Sequence, residues 1–442
     1  MPYPAGKNLP SELASKLGHL EVLKSPLVRE IVQNFEQPAA EEVIDVKWEP
    51  FPPPSSKPLD LVFAVDGSWQ AVTGERFPYR KIAFVKTALM KIDQIALSKI
   101  DSEQPHPLAL RDIMADAAFY HATAFPLRHA YFKGLSVYDA IRQIIFESLK
   151  DASLEGEVMK TFKWLVYESW SSSPRSALPD FQCPYGEKDG HLTTLSSDAE
   201  KGICTSCGKE IFITDMLGFH LEMAESAASE SVATAYMNIH ETLLLFTAVR
   251  HFWETNREIL KHCLFLKDGP LQLRAQYSKL VNPIRKFLLH AYSQGYPISI
   301  VGQEKTGVFV DHLNFLLGGN APAKHFFIPD HEYICHKVLC RPSTGLPYGH
   351  DTNYGAKVFV VFDKCCRLVL SIPICAKMDE FVCAPRALQL ISFDKILTTL
   401  PGMISARHEN ALVPLEMANS IASLSTYPSA QVLKLFADAH VR

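Results

Sequence analysis

Leu61-Val-Phe-Ala-Val-Asp66-Gly67-Ser68 is the stretch that most restricts what this chain can fold into. Five strand-forming residues run without a break onto a carboxylate, and glycine and serine follow. That pattern reads as a strand buried on both faces with an acid at its carboxyl end. A second stretch repeats it. Cys263-Leu-Phe-Leu266 is apolar and leads through Lys267 into Asp268-Gly269-Pro270. Acids about two hundred residues apart can meet if their strands lie side by side, because open α/β sheets collect their functional groups at strand ends. Taken singly, each Asp-Gly pair is also a turn opener and nothing more.

The rest of the chain supplies a mixed sheet around these strands. Residues 60–135 suggest a meander of short strands, with Arg80-Lys-Ile-Ala-Phe-Val-Lys86 close behind the Asp66 strand. Helical spacing covers about 136–169, 216–262 and 271–292, and a short strand is expected at Ile298–Gly302. Tyr354–Phe362 and Arg367–Ile372 predict a hairpin, and a last helix is expected to open near His408. Ahead of all this, apolar residues including Leu13, Leu17, Leu20, Leu23, Leu27 and Val28 recur at helical spacing, and a Pro-rich linker runs from Pro50 to Pro58. The division that follows is an arm and linker at 1–59, a first core part at 60–180, an insert at 181–214 and a second core part at 215–442.

The insert carries Cys183-Pro-Tyr-Gly186 and Cys204-Thr-Ser-Cys207-Gly208, the two lips of a zinc-ribbon-like element. Gly186 stands where a fourth cysteine belongs, and His191 is the nearest residue able to replace it. Cys183, His191, Cys204 and Cys207 are therefore the candidate ligands of a structural Zn²⁺, against a relic ribbon that folds without metal. The other cysteines are scattered in apolar surroundings, as reduced thiols would be.

One helical acid stands out. Glu241 has Met237, Leu244, Leu245 and Ala248 as its neighbours at helical spacing, whereas Glu254 lies among Arg250, His251, Arg257 and Glu258 on a solvated face. A carboxylate on an apolar face needs a salt bridge, a proton or a cation. Asp66, Glu241 and Asp268 together would make a hard oxygen site suited to Mn²⁺ or Mg²⁺, in which two-metal phosphodiester hydrolysis is the natural chemistry. Gln303-Glu-Lys305-Thr-Gly307 places a lysine in a glycine-flanked loop fit to grip a phosphate. Dinucleotide, Walker and serine-hydrolase motifs are missing from the sequence. A formal charge of -4 leaves any nucleic-acid surface local. No apolar run is long enough for a membrane span and the start lacks signal-peptide character, so a cytoplasmic protein is expected.

Phe63-Ala-Val-Asp66-Gly-Ser68, the helical acid, Leu266-Lys-Asp268-Gly-Pro-Leu271, Val301-Gly-Gln-Glu-Lys305, Tyr354-Gly355 and Asn410-Ala-Leu-Val-Pro-Leu415 occur in an order that resembles NurA-type nucleases, over roughly residues 60–430. The resemblance implies an α/β, RNase H-like core of the PIWI-related type, with helical insertions. It implies Mn²⁺-dependent cleavage of DNA, as single-strand endonuclease and 5′ to 3′ exonuclease, in DNA end processing or defence against foreign DNA. It also implies a homodimer working with a HerA-type hexameric ATPase translocase. Asp66, Glu241 and Asp268 match its metal ligands, and Lys305, Tyr354 and His408 match positions at its cleft. The ribbon-like insert departs from compact members and is similar to longer bacterial forms. The competing expectation is a catalytically silent adaptor that only binds DNA or a translocase. A guide-binding PIWI-like protein would need a basic 5′-phosphate pocket, which the sequence does not display.

Overall fold

The computed structural model describes residues 22–35, 46–54, 57–75, 77–93, 118–186, 190–224, 228–317, 322–376, 381–424 and 428–440. It divides into two compact units, Met1–Val46 and Lys47–Arg442. In the first, helix α1 (Pro26–Gln33) is capped by Ser25, whose hydroxyl accepts from the Val28 amide, and has proline in its first turn. Leu23 and Leu27 are exposed on it, while Leu13, Leu17 and Leu20 lie outside the described residues.

The second unit is built on a nine-stranded mixed sheet. Its strands are β1 (Glu49–Pro50), β2 (Leu61–Thr73), β3 (Lys81–Asp93), β4 (Ala118–Arg128), β9 (Cys263–Asp268), β10 (Ser299–Glu304), β11 (His325–Phe327), β12 (Ala356–Val361) and β13 (Arg367–Ile372). β5 to β8 form two small hairpins, Phe181–Gln182 with Leu192–Thr193 and Lys201–Ile203 with Glu210–Phe212. Across the large sheet the order is β1-β11-β12-β13-β10-β9-β2-β3-β4. β2, β3 and β4 are antiparallel neighbours, whereas β9 runs parallel to β2 and β10 parallel to β9. Parallel neighbours need a crossover, and α4 (Ser231–Thr255) and α5 (Val281–Ser293) provide the two helices.

Both faces of the central strands are covered, which explains their unbroken apolar runs. Phe63, Val65 and Phe265 pack with Leu244, Leu245 and Phe287 of α4 and α5 on one face. Val62, Ala64, Leu264 and Leu266 pack with Ile396 and Leu415 on the other. The Phe63 and Phe265 rings stack at 5.3 Å across the β2/β9 pair.

Several elements depart from the sequence reading. β2 does not stop at Asp66. It continues to Thr73, with Gly67 paired to Thr87 in the middle of a thirteen-residue strand. Only the second Asp-Gly pair is a turn: β9 ends at Asp268 and Gly269 has φ +83°. The helical region after Ser136 breaks into α2 (Val137–Leu149) and α3 (Glu157–Val166), because Glu155 and Gly156 between them are left-handed. The expected helix over 216–262 is α4 flanked by 3₁₀ turns. The helix expected to open near His408 opens at Val413, with Pro414 in its first turn, and is not the last, since Ser429–His440 is helical too. Pro50, at the start of the expected linker, pairs with His325 as an edge strand, where a missing amide costs nothing.

A buried arginine helps fasten the two hairpins of the insert to the body. Arg142 of α2 is buried and donates to both oxygens of Asp215 at 2.8 and 2.7 Å, to the Tyr185 hydroxyl at 2.7 Å and to the Glu210 carbonyl at 3.2 Å. Tyr138 donates to the Pro184 carbonyl at 2.6 Å. Removing one member of such a pair strands the other charge out of water. Arg142→Met and Asp215→Asn should each lower unfolding free energy by about 3–5 kcal/mol in urea titrations. The double change Arg142→Met with Asp215→Leu should recover most of that, and additive losses would contradict the assignment.

Candidate metal and phosphate site

Parallel pairing sets the geometry of the carboxylates. β2 and β9 are in register through Val65 and Lys267, so the next residues, Asp66 and Asp268, stand side by side at one level on one face. Gln303 of β10 is level with Asp268 and extends this row onto a third strand. Beyond this level β9 has ended, so β2 runs on with no strand on that side.

Glu241 enters from α4, over Gly67. A methyl group placed on Gly67 would lie 2.6 Å from Glu241 Oε1 and 2.6 Å from Met237 Cγ. Glycine is therefore needed here for close approach of helix to strand and not for a turn. Asp66, Glu241 and Asp268 thus come from three elements and are near enough for the charges of Asp268 and Glu241 to act on Asp66, but their oxygens do not form a cluster close enough to hold an ion as they stand.

Two lysines share the site, and sequence reasoning singled out only one. Lys305 follows β10 and donates to Asp268 Oδ2 at 2.9 Å, with both side chains partly open to solvent. Lys267 points to the opposite face of β9 and is 1% exposed. Its Nζ lies 2.8 Å from Glu241 Oε2 and 3.0 Å from the Asp268 carbonyl. Burial works against its charge, but the neighbouring Glu241 carboxylate outweighs that and raises its pKa. A lysine inside the apolar run Cys263–Asp268 was the available signal, since such a strand cannot bury an ammonium without an acid opposite it.

Asp66 is 4% exposed. Its Oδ1 accepts from the Gly67 amide at 2.7 Å, while its Oδ2 has no partner among the described residues. Gln303 donates to the Asn410 carbonyl at 2.7 Å, and its Oε1 is likewise buried without a partner. Burial, then the charges of Asp268 and Glu241, push the Asp66 carboxyl up to about 8. Orphaned buried oxygens beside crowded carboxylates are what a hard divalent cation would relieve.

The remaining candidates fall further from solvent or further from the acids. Tyr354 is 3% exposed and its hydroxyl lies 3.4 Å from that of Thr242, next to Glu241. It is near enough to Lys267 and Glu241 for their charges to act on its hydroxyl. His408 is exposed in the turn before Ala411, its amide donating to Ser405 Oγ at 3.2 Å. That turn is fastened near the acid row through Asn410, which holds Gln303.

The insert forms a second, chemically different centre. Ligand atoms of Cys183, His191, Cys204 and Cys207 all lie within 4.8 Å of one another, so the group can hold a metal ion. The Cys183 and Cys207 sulfurs are 3.7 Å apart, and Cys204 Sγ is 3.2 Å from His191 Nε2. A Cβ on Gly186 would meet His191 Nδ1 at 3.3 Å, so the histidine occupies the ground a fourth cysteine would need. Burial pushes the Cys183 thiol up to about 12. Burial also opposes the Cys204 thiolate, but the amides of Cys207 and Ser206 bring it down to about 6.

The raised Asp66 carboxyl has a sign that stability measurements can read. In metal-free protein the folded state keeps a proton that the unfolded chain releases above its ordinary pKa of 3.8. Stability supplied by this group is therefore lost as pH climbs from about 4 to about 8. With divalent cations chelated, Asp66→Asn should gain on the parent over that window by a few kcal/mol, on the order of one per pKa unit, in urea titrations. A constant difference between the two proteins would contradict it.

No family model matches the chain, and no curated protein matches it. Among the described residues, no helix is long and apolar enough to cross a membrane. Among the solved structures to which the chain is similar is the crystal structure of the NurA nuclease from Sulfolobus solfataricus. The match covers 96% of this chain and 97% of that one, at 11% identity and a TM-score of 0.33. So loose a superposition assigns the chain neither a family nor an activity.

Proposed function

We propose that this chain is a divalent-metal-dependent deoxyribonuclease that hydrolyses phosphodiester bonds at the Asp66, Glu241 and Asp268 site. The observation that carries the reading is the side-by-side placement of Asp66 and Asp268 at one strand level, with Asp66 Oδ2 buried and unpartnered. A cation held there, Mn²⁺ or Mg²⁺, would supply an activated water and charge neutralisation at the phosphate. The chain's own groups prepare the rest. The Gly67 amide fixes one oxygen of Asp66, and Lys267 fixes one oxygen of Glu241. Lys305 is exposed enough to exchange Asp268 for a phosphate oxygen. A three-strand antiparallel meander continued by two parallel strands, with acids on β2 and β9, supports the RNase H-like reading.

The NurA-type resemblance of the sequence extends this proposal. It assigns DNA as substrate, single-strand endonuclease and 5′ to 3′ exonuclease activity, a homodimer, a HerA-type hexameric translocase as partner, and cytoplasmic work in DNA end processing or defence. His408 and Tyr354 are proposed to serve the cleft, Tyr354 by supporting the Lys267–Glu241 pair. In the insert, Zn²⁺ is the proposed ion. A tetrahedron with Zn–S bonds of about 2.3 Å has an edge of about 3.8 Å, close to the 3.7 Å between Cys183 and Cys207.

Asp66→Asn and Asp268→Asn should each reduce manganese-dependent cleavage of single-stranded DNA by about a thousandfold, the scale of losing a charge-stabilising group. Their circular dichroism should stay unchanged. Parental rates in the double variant would refute the nuclease reading, and an inactive parent under every divalent ion, with and without a translocase, would favour the adaptor. Separately, Cys204→Ser should remove the zinc found by elemental analysis of purified protein and open the insert to trypsin at Lys201 and Lys209. Full retention of zinc would exclude this ligand set.

A further inference from the structure

A cavity of about 640 Å³ opens between α5, the turn after α3 and the segments 348–357 and 373–385. That is the size of a pocket for a small organic ligand. Asp66, Glu241, Asp268 and the cysteines of the insert are not in its wall, though Tyr354 is.

The wall is cationic in a chain whose formal charge is -4. Arg175, Lys279, Arg285 and Lys286 line it against two acids, Glu168 and Asp351, and Lys357, also in the wall, is matched by Glu304. Two positive charges are therefore left over in the wall. Glu168 is shared, with Lys286 Nζ 3.0 Å and Arg175 Nη1 3.8 Å from the same oxygen. Lys279 donates to a carbonyl, that of Asp180, at 2.7 Å. Arg285 also holds backbone: Nε donates to the Asn353 carbonyl at 2.7 Å, Nη1 to that of His350 at 2.7 Å and Nη2 to that of Gly349 at 2.9 Å. Carbonyls satisfy these donors without cancelling their charge. The first turn of α5, Val281 to Pro283, lines the cavity as well and adds the positive end of a helix dipole. An aromatic ring stands beside the cations. Phe381 lies 5.3 Å from the Arg285 guanidinium and 5.1 Å from the His350 ring. The four cations come from the turn after α3 and from α5 with the turn before it, so no single basic run marks them in the sequence.

We infer that this cavity binds a nucleoside phosphomonoester, its phosphate taken by the cations of Arg175, Lys279, Arg285 and Lys286 and its base by the ring of Phe381. A phosphomonoester carries about 1.5 to 2 negative charges at pH 7, which matches the surplus in the wall, whereas an internal phosphodiester would cancel only part of it. Aromatic faces accept any base, so the pocket reads the phosphate and not the sequence. Such a group has two sources, the phosphorylated end of a strand and a nucleotide released from one. Nucleic acid as the ligand class rests on the nuclease reading above, while the cavity and its charge stand without it.

The test is binding to the full chain with no divalent cation added. Fluorescence anisotropy compares single-stranded oligonucleotides ending in a 5′-phosphate, a 3′-phosphate or hydroxyls alone, and calorimetry compares deoxyadenosine monophosphate with deoxyadenosine. A phosphorylated strand bound about tenfold tighter than the hydroxyl strand would assign the strand end. Binding of the monophosphate and not of deoxyadenosine, with no preference among strands, would assign the released nucleotide. In either case Lys279→Gln with Lys286→Gln should bring the phosphate preference down to within about twofold. A parent protein with neither preference would overturn the inference, as would a preference that survives in the folded double variant or inorganic phosphate bound as tightly as the monophosphate. Should the double variant fail to fold, Lys279→Gln, at an exposed position, decides alone. Failure of the nuclease reading is told apart by cleavage: parental rates in the variant lacking both Asp66 and Asp268 carboxylates would remove that reading and leave a measured phosphate preference standing.

Discussion

The parallel pairing of β2 with β9 is the constraint on which the candidate site rests. Without it Asp66 and Asp268 are two unrelated acids at strand positions two hundred residues apart. With it, a register fixed by Leu61 opposite Cys263 through Val65 opposite Lys267 leaves no choice about where the next two side chains stand. What holds the register is apolar on both faces, with Phe63 stacked on Phe265 under α4 and Val62 and Leu264 packed on the other side. A slip of one residue would turn every one of these side chains to the wrong face. The acids are placed by hydrocarbon.

Much of this was legible in the sequence because strands buried on both faces announce themselves. The buried runs into Asp66 and Asp268, the hairpin of β12 with β13, and Glu241 among apolar neighbours on its helix were readable from spacing, although only the second run ends on its acid. What failed to read has local physical causes. Gly67 looks like half of a turn, but its task is to let α4 approach, and a sequence does not say which use a glycine serves. Lys267 looked like a connector, because a lysine's partner twenty-six positions away is visible only once the helix is laid on the sheet. The break between α2 and α3 needed knowledge that Glu155 and Gly156 adopt left-handed backbone, and the late start of the helix at Val413 followed Pro414 and not the polar residues before it.

The molecule keeps two kinds of donor group apart. Thiolates and an imidazole gather in the insert, on hairpins that Arg142 ties to α2, while Asp66 and Asp268 stand level within β2 and at the end of β9. Soft and hard donors select different ions, so a metal suited to the thiolates is not one suited to the carboxylates.

Gly67 sets an asymmetry in how such a protein can decay. Exchanging Asp66 or Asp268 for its amide is a small chemical step that relieves crowded charge and leaves the packing intact. Enlarging residue 67 drives a methyl into Glu241 and Met237 and pushes a helix off its strand. A lineage that abandoned the reaction while keeping the scaffold would therefore shed its acids early and hold on to this glycine. Here both persist.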